Sequence, residues 1–190
     1  MLSLDEIKKL VEDKLLSSGH KDRYIHTLGV VHMAEYLATA YHVDITKARI
    51  AAYLHDFCKY DDEALIKNSL NMEDQKECSK YPVLYHSYGS AEFYKNNIGD
   101  DEDIYQAIRN HVFGRLGMSK LEEIILISDY TEENRVYPSC VHCREILLSG
   151  KLYQAIYEST KLTIEFLKKK NIEPHPLQLE VLKYYEGLCE

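Results

Sequence analysis

Residues 44–60 read DITKARIAAYLHDFCKY, and the way this stretch repeats decides the fold class. Asp44 has the side chain of an N-cap, and the Ala-rich run behind it predicts a helix to about Lys59. His55 stands seven, four and three residues after Ala48, Ala51 and Ala52, so a period of 3.6 turns its imidazole to the core-facing side. Asp56 adjoins it. Lys59, three residues after Asp56 and four after His55, faces the same way from the last turn.

Outward from this segment the pattern stays helical. Ser3 and Glu6 have the spacing of a capping box ahead of Ile7, Leu10, Val11 and Leu15, with Gly19 as the stop. A second helix is expected from about Asp22 to Tyr41. Between Asp61 and Tyr81 the periodicity weakens into polar turns and short helical pieces, which reads as a loop or lid. Pro82 is placed to start a helix that runs to about Asn97, and another is expected from about Asp103 to Gly114. Ser119 and Glu122 repeat the capping-box spacing before Ile124–Ile127, a run apolar enough to be buried on all sides. Beyond Pro138 come a short helix, a long amphipathic one from about Leu152 to Lys170, and a last one after Pro176. With eight Gly, four Pro and no strand-like alternation, the expectation is an all-α, single-domain bundle over residues 1–190. Its core would span about 20–135, with C-terminal helices from about 139 to 190 packing on it.

The same arithmetic divides the nine histidines. His26 precedes Val30, Met33 and Leu37 by four, seven and eleven residues, His86 lines up with Val83, Ser90 and Phe93, and His111 with Ile104, Ala107 and Ile108. Together with His55, four helices each turn one imidazole inward. Asp129 follows Ile125 and Leu121 by four and eight residues, adding a second inward carboxylate to Asp56. His20, His32, His42, His142 and His175 have no such placement. One inward histidine is ordinary core, but six unpaired polar groups are not. Each would cost about 2–7 kcal/mol, and a carboxylate more, against a domain stability of about 5–15 kcal/mol. A divalent cation pairs them directly, and imidazole with carboxylate suits iron, manganese, cobalt or zinc.

A lone His, a His-Asp pair closing a helix, two more lone His and a late Asp, in that order between Arg23 and Arg135, resemble the HD superfamily of metal-dependent phosphohydrolases. The contexts RYIHTLGV, AAYLHDFCKY, HSYGSAEF and HVFGRLGMSKLEEIILISDYTEENR narrow this to a resemblance to the bacterial symmetrical bis(5'-nucleosyl)-tetraphosphatases. That resemblance implies an all-helical HD fold, iron (one or two ions), and cleavage of diadenosine tetraphosphate to two ADP. It makes His26, His55, Asp56 and Asp129 the ligands of a first metal, and gives His86 and His111 either to a second metal bridged by Asp56 or to the phosphates. Arg23, Lys59 and Arg135 match basic positions beside the phosphates, His175 before Pro176 resembles a step closing over the nucleotide, and Arg115 is a further candidate. Asp56 and Lys59 would carry the chemistry, Lys59 by neutralising charge on the phosphoryl oxygens. The chain departs from the family where Val112 and Phe113 stand in place of two hydroxyl residues, and where Ser128 and Glu133 replace Ala and Pro.

Composition narrows the partners. A net charge of −8 disfavours a nucleic-acid polymer, which needs a basic face, so a nucleotide must be attracted locally. No run reaches the roughly 18 apolar residues of a membrane span. The N-terminus opens on an amphipathic pattern, and five irregularly spaced cysteines suit a reducing compartment, so a cytoplasmic location is expected, with a homodimer admissible. Cys140 and Cys143 make half a zinc-site spacing without a second half. The rival functions are another HD-type nucleotidase or deoxynucleotide triphosphohydrolase, a di-iron oxygenase on the same six ligands, and a non-enzymatic nucleotide sensor.

Overall fold

Both expected capping boxes form. Ser3 accepts from the Glu6 amide while Glu6 reaches back to the Ser3 backbone, opening α1 (Leu4–Ser17), and Ser119 with Glu122 opens α8 (Lys120–Thr131) in the same way. The computed structural model describes residues 2–189, and among them there are eleven helices and no strand. The remaining ones are α2 (Lys21–Ala40), α3 (Ile45–Leu54), α4 (Glu63–Ser69), α5 (Met72–Lys80), α6 (Leu84–Asn97), α7 (Glu102–Asn110), α9 (Pro138–Leu148), α10 (Leu152–Lys169) and α11 (Pro176–Cys189). Among the described residues no helix is long and apolar enough to cross a membrane.

Helix α8 is the axis of the packing. Leu121, Ile124, Ile125 and Ile127 are buried on it, and it touches α2, α3, α7, α9 and α10. Helix α2 lies along α3 and α8, α7 along α6 and α8, α9 and α11 each pack on α10, and α9 and α10 pack on α8. Burying four aliphatic side chains on one helix contributes about 1.5–3 kcal/mol each, enough to hold α8 as the common wall.

The structure differs from the sequence reading at four places. Helix α3 ends at Leu54 rather than near Lys59, and His55 is its C-cap. The Nδ1 of His55 lies 2.6 Å from the carbonyl of Ala52, the acceptor that a continuing helix would offer to Asp56, so the ring competes with the next turn. The backbone then runs through tight turns, with the Lys59 amide donating to Asp56 O at 3.0 Å. The same device ends α7 at Asn110 instead of Gly114. His111 is the C-cap, its Nδ1 lies 2.8 Å from Ile108 O, and Gly114 completes the turn at φ +69°, a conformation that favours glycine. Thirdly, the stretch expected as loop or lid forms α4 and α5, each with its own N-cap, Asp62 and Asn71. Their apolar anchors are few, Ile66, Leu70 and Cys78, which is why periodicity was weak there. Pro82 precedes α6 in a turn, and the helix itself begins at Leu84.

Candidate metal centre

Five elements deliver the inward histidines and carboxylates to one place. His26 comes from the first turns of α2, His55 and Asp56 from the end of α3, His86 from the start of α6, His111 from the end of α7, and Asp129 from the last turn of α8. All but Asp129 are buried, and the Asp129 side chain is 23% exposed, which leaves the cluster open on that side. At the ends of α3 and α7 both caps keep right-handed helical backbone, so each imidazole stays in line with its helix while Nδ1 is tied to a helix carbonyl and Nε2 faces the cluster.

The donor atoms form two adjacent trios, each with its atoms within 4.8 Å of one another: His26, His55 and Asp129, and Asp56, His86 and His111. Asp56 Oδ1 lies 3.1 Å from His86 Nε2 and 3.7 Å from His111 Nε2, while its Oδ2 lies 3.5 Å from His55 Nε2, so this carboxylate faces both trios. His26 Nε2 is 3.1 Å from Asp129 Oδ1. Despite that closeness His26 Nε2, His55 Nε2 and Asp56 Oδ1 are buried without a hydrogen-bond partner. Converging buried donor atoms left without partners are what a cation-binding site presents, and both trios could hold a metal ion, although His86 Nε2 and His111 Nε2 lie 3.3 Å apart.

The outer nitrogens are committed elsewhere, which sets the tautomers. With Nδ1 of His55 and His111 donating to their own helix carbonyls, the Nε2 atoms are left as lone-pair donors. His26 uses a carboxylate instead: its Nδ1 lies 3.1 Å from Oε1 of Glu132, a buried residue at the end of α8. Glu132 is the functional residue that the sequence reading missed. Its other oxygen accepts from the Asn134 amide at 2.6 Å and from Asn134 Nδ2 at 2.9 Å. Room for it comes from Gly29, where a Cβ would meet Glu132 Oε2 at 2.1 Å. A glycine three residues after His26 on the same helix face was the available signal.

Three cations rim the cluster. Arg23 donates to Asp56 Oδ2 at 2.7 Å, and Arg135 to Asp129 Oδ1 at 2.7 Å. Lys59 Nζ is 3.2 Å from His86 Nε2 and 3.5 Å from Asp56 Oδ1. Burial works to raise the pKa of Asp56, yet His55, His111 and His86 around it hold its carboxyl well below the usual range. For Asp129 burial is likewise outweighed, by His26 and Arg135. Desolvation pushes His55 down, and His86 down to about 4, so both are neutral and able to coordinate. His26 goes the other way: burial lowers its pKa, but the carboxylates of Asp129 and Glu132 prevail and raise it.

Two sequence-derived candidates lie elsewhere. Arg115 is held by Glu122 through two bonds of 2.7 Å, and Glu122 also takes Asn110 Nδ2 and the Ser119 amide, so this guanidinium secures the α7–α8 connection. His175 accepts the Leu177 amide at Nδ1 and donates from Nε2 to Glu77 at 2.6 Å, while its ring stacks on Phe113 with centroids 4.7 Å apart. It pins the start of α11 to α5 and to the turn after His111. Phe113, one of the two departures from the expected hydroxyl pair, is thereby given a packing role.

The HD domain family model matches residues 23–134. The chain is similar to a symmetrical bis(5'-nucleosyl)-tetraphosphatase of Bacillus subtilis, 40% identical over 78% of this chain and 81% of that one. A protein of the same description from Staphylococcus aureus is 33% identical over 97% and 95% of the two chains. Among solved structures, an HD superfamily hydrolase of Clostridium acetobutylicum described as involved in NAD metabolism superposes with a TM-score of 0.86, covering 98% of each chain at 34% identity.

Proposed function

This chain belongs to the HD domain family, among the symmetrical bis(5'-nucleosyl)-tetraphosphatases, and on that premise we propose that its cluster hydrolyses diadenosine tetraphosphate at the central phosphoanhydride, releasing two ADP. The observation that carries the reading is the pair of adjacent His/Asp trios with three cations at their edge.

His26, His55, Asp56 and Asp129 would hold a first divalent cation, and His86 and His111 with the shared Asp56 a second. Iron is the metal proposed, and manganese, cobalt or zinc fit the same donor classes. Such cations supply Lewis acidity to phosphoryl oxygens and make water a nucleophile at neutral pH. The chain's own residues do the rest. The Nδ1 bonds of His55 and His111 to their helix carbonyls aim the Nε2 atoms at the cluster, and Glu132 orients His26. Arg23 and Arg135 each donate to one carboxylate of the cluster and keep further N–H groups for phosphate, in the forked geometry that suits it. Lys59, within 3.5 Å of both Asp56 and His86, is placed to offset charge that builds on the phosphoryl oxygens as the anhydride opens. ADP is a good leaving group, so no strong general acid is required. All five cysteines are unpaired, which supports the reading of a reducing, cytoplasmic setting.

The test is product analysis on protein loaded with iron, manganese or cobalt. ADP as the sole product from diadenosine tetraphosphate is expected; AMP with ATP, or no turnover with any of these metals, would refute the assignment.

A further inference from the structure

A symmetrical cut leaves each nucleoside two phosphates from the broken bond, so a substrate of this kind needs room for a nucleoside beside the metal cluster. The two sides of the cluster are unequal. Next to His111 and Asp129 the cavity is only about 70 Å³, too small for a nucleoside. Next to His26 a cleft of about 550 Å³ opens between the start of α2 and the segment that follows α8, with Arg23, Arg135, Tyr60, Val136 and Tyr137 in its walls.

Three features of that cleft point to a ligand. Each arginine keeps a buried Nε without any hydrogen-bond partner although its other end is engaged by a cluster carboxylate. Buried guanidinium donors are normally satisfied, so these two await acceptors. The outer wall is apolar and open to solvent: Val136 is 77% and Tyr137 68% exposed, directly after Arg135 of the half-buried pair with Asp129. Tyr60 is half exposed but not loose, because His20 stacks on one of its faces at 3.5 Å between centroids and 11° between planes. The order from inside outward is thus ligand trio, two phosphate-seeking cations, then aromatic surface, which is the order of a nucleoside diphosphate from its terminal phosphate to its base.

We infer that this cleft seats one nucleoside diphosphate half of the substrate, with Tyr60 and Tyr137 as the residues against which the base stacks. The inference rests on the proposed hydrolysis. Stacking on an aromatic ring is tolerant of base identity, so the cleft would prefer bases over no base rather than adenine over guanine.

The experiment uses metal-loaded wild type, Tyr60→Ala, Tyr137→Ala and Tyr137→Phe, with steady-state kinetics on diadenosine tetraphosphate and calorimetric Kd values for ADP and inorganic pyrophosphate. Each alanine variant should raise KM and the ADP Kd about tenfold while leaving kcat within about twofold and pyrophosphate binding unchanged. Tyr137→Phe should bind ADP as wild type does, since only the ring is used. Unchanged ADP affinity in both alanine variants, or equal weakening of ADP and pyrophosphate, overturns the inference. Wild type that yields no ADP from the tetraphosphate would instead sink the proposed reaction, and the comparison of ADP with pyrophosphate would still report on the cleft.

Discussion

Glu132 and His26 form a carboxylate–imidazole pair across the α2–α8 contact, Oε1 to Nδ1 at 3.1 Å, with the other face of the imidazole turned to Asp129. A carboxylate in this position fixes the ring orientation and raises its basicity towards a cation at Nε2. Burial works to raise the pKa of Glu132, but His26 and Asn134 hold its carboxyl below the usual range, so it stays charged. Glu132→Gln should therefore lower metal affinity about 10–100-fold. Equilibrium dialysis would show this, and unchanged affinity would remove Glu132 from the site.

Gly29→Ala tests the same pair from the other side. The added Cβ would stand 2.1 Å from Glu132 Oε2 and 2.8 Å from Asn134 Nδ2, so the carboxylate must leave its place. An alanine in mid-helix would otherwise add about 1 kcal/mol. Here it should cost about 1–3 kcal/mol and weaken metal binding as Glu132→Gln does. A variant that melts higher and keeps its metal would show that Glu132 can move freely.

Lys59→Met keeps most of the side-chain length and removes the charge. Lys59 touches Asp56 and His86 only from the rim and holds no helix end, so metal content should stay as in wild type. Loss of one donor to developing charge costs about 10²–10³ in kcat. Full activity would mark Lys59 as a solvated end-of-segment lysine.

Acid should destabilise the metal-free protein in a defined window. His86 has its pKa depressed to about 4, and His55 is depressed as well, by burial in both cases. In the unfolded chain they titrate near 6.5. Their contribution is complete above about pH 6.5 and is lost as pH falls towards about 4, because the unfolded state takes up protons first. His26, whose pKa is raised, contributes stability that is already complete below about pH 6.5 and is lost only as pH rises through its folded pKa, so it does not offset that loss. Urea melts of chelator-treated protein between pH 7.5 and 4.5 would check it. A flat profile in wild type, or the same slope in His86→Gln, contradicts the assignment.

Arg115→Ala should leave KM for the nucleotide unchanged and lower stability. Its partner Glu122 is 1% exposed and would keep only Asn110 and the Ser119 amide as partners. The loss is about 1–3 kcal/mol, visible in a thermal melt. A raised KM with an unchanged melt would return Arg115 to the substrate.

Much of this protein is legible locally. Helix starts at Ser3, Asp44 and Ser119 follow from side-chain chemistry within three residues, and the inward face of His26, His86 and Asp129 follows from a 3.6-residue period. In the weak segment 61–81 the short helical pieces form, but their bounds were not legible because they are held by caps and a few anchors rather than by a continuous stripe. Where the helices carrying His55 and His111 end was misplaced for a related reason: the competing donor is the histidine's own ring, which a periodic pattern does not register.

From the chain alone came the helical class, the inward histidines and acids, and the expectation of a cation to pair them, because each depends on spacing along a single helix. Only the tertiary structure decided that the donors divide into two adjacent trios with Asp56 facing both, that Glu132 stands behind His26 in the space left by Gly29, and that Arg115 serves Glu122. Those are distances between atoms on different helices. They are set by how the helices dock around α8, and a repeat along one helix carries no information about its neighbour's position.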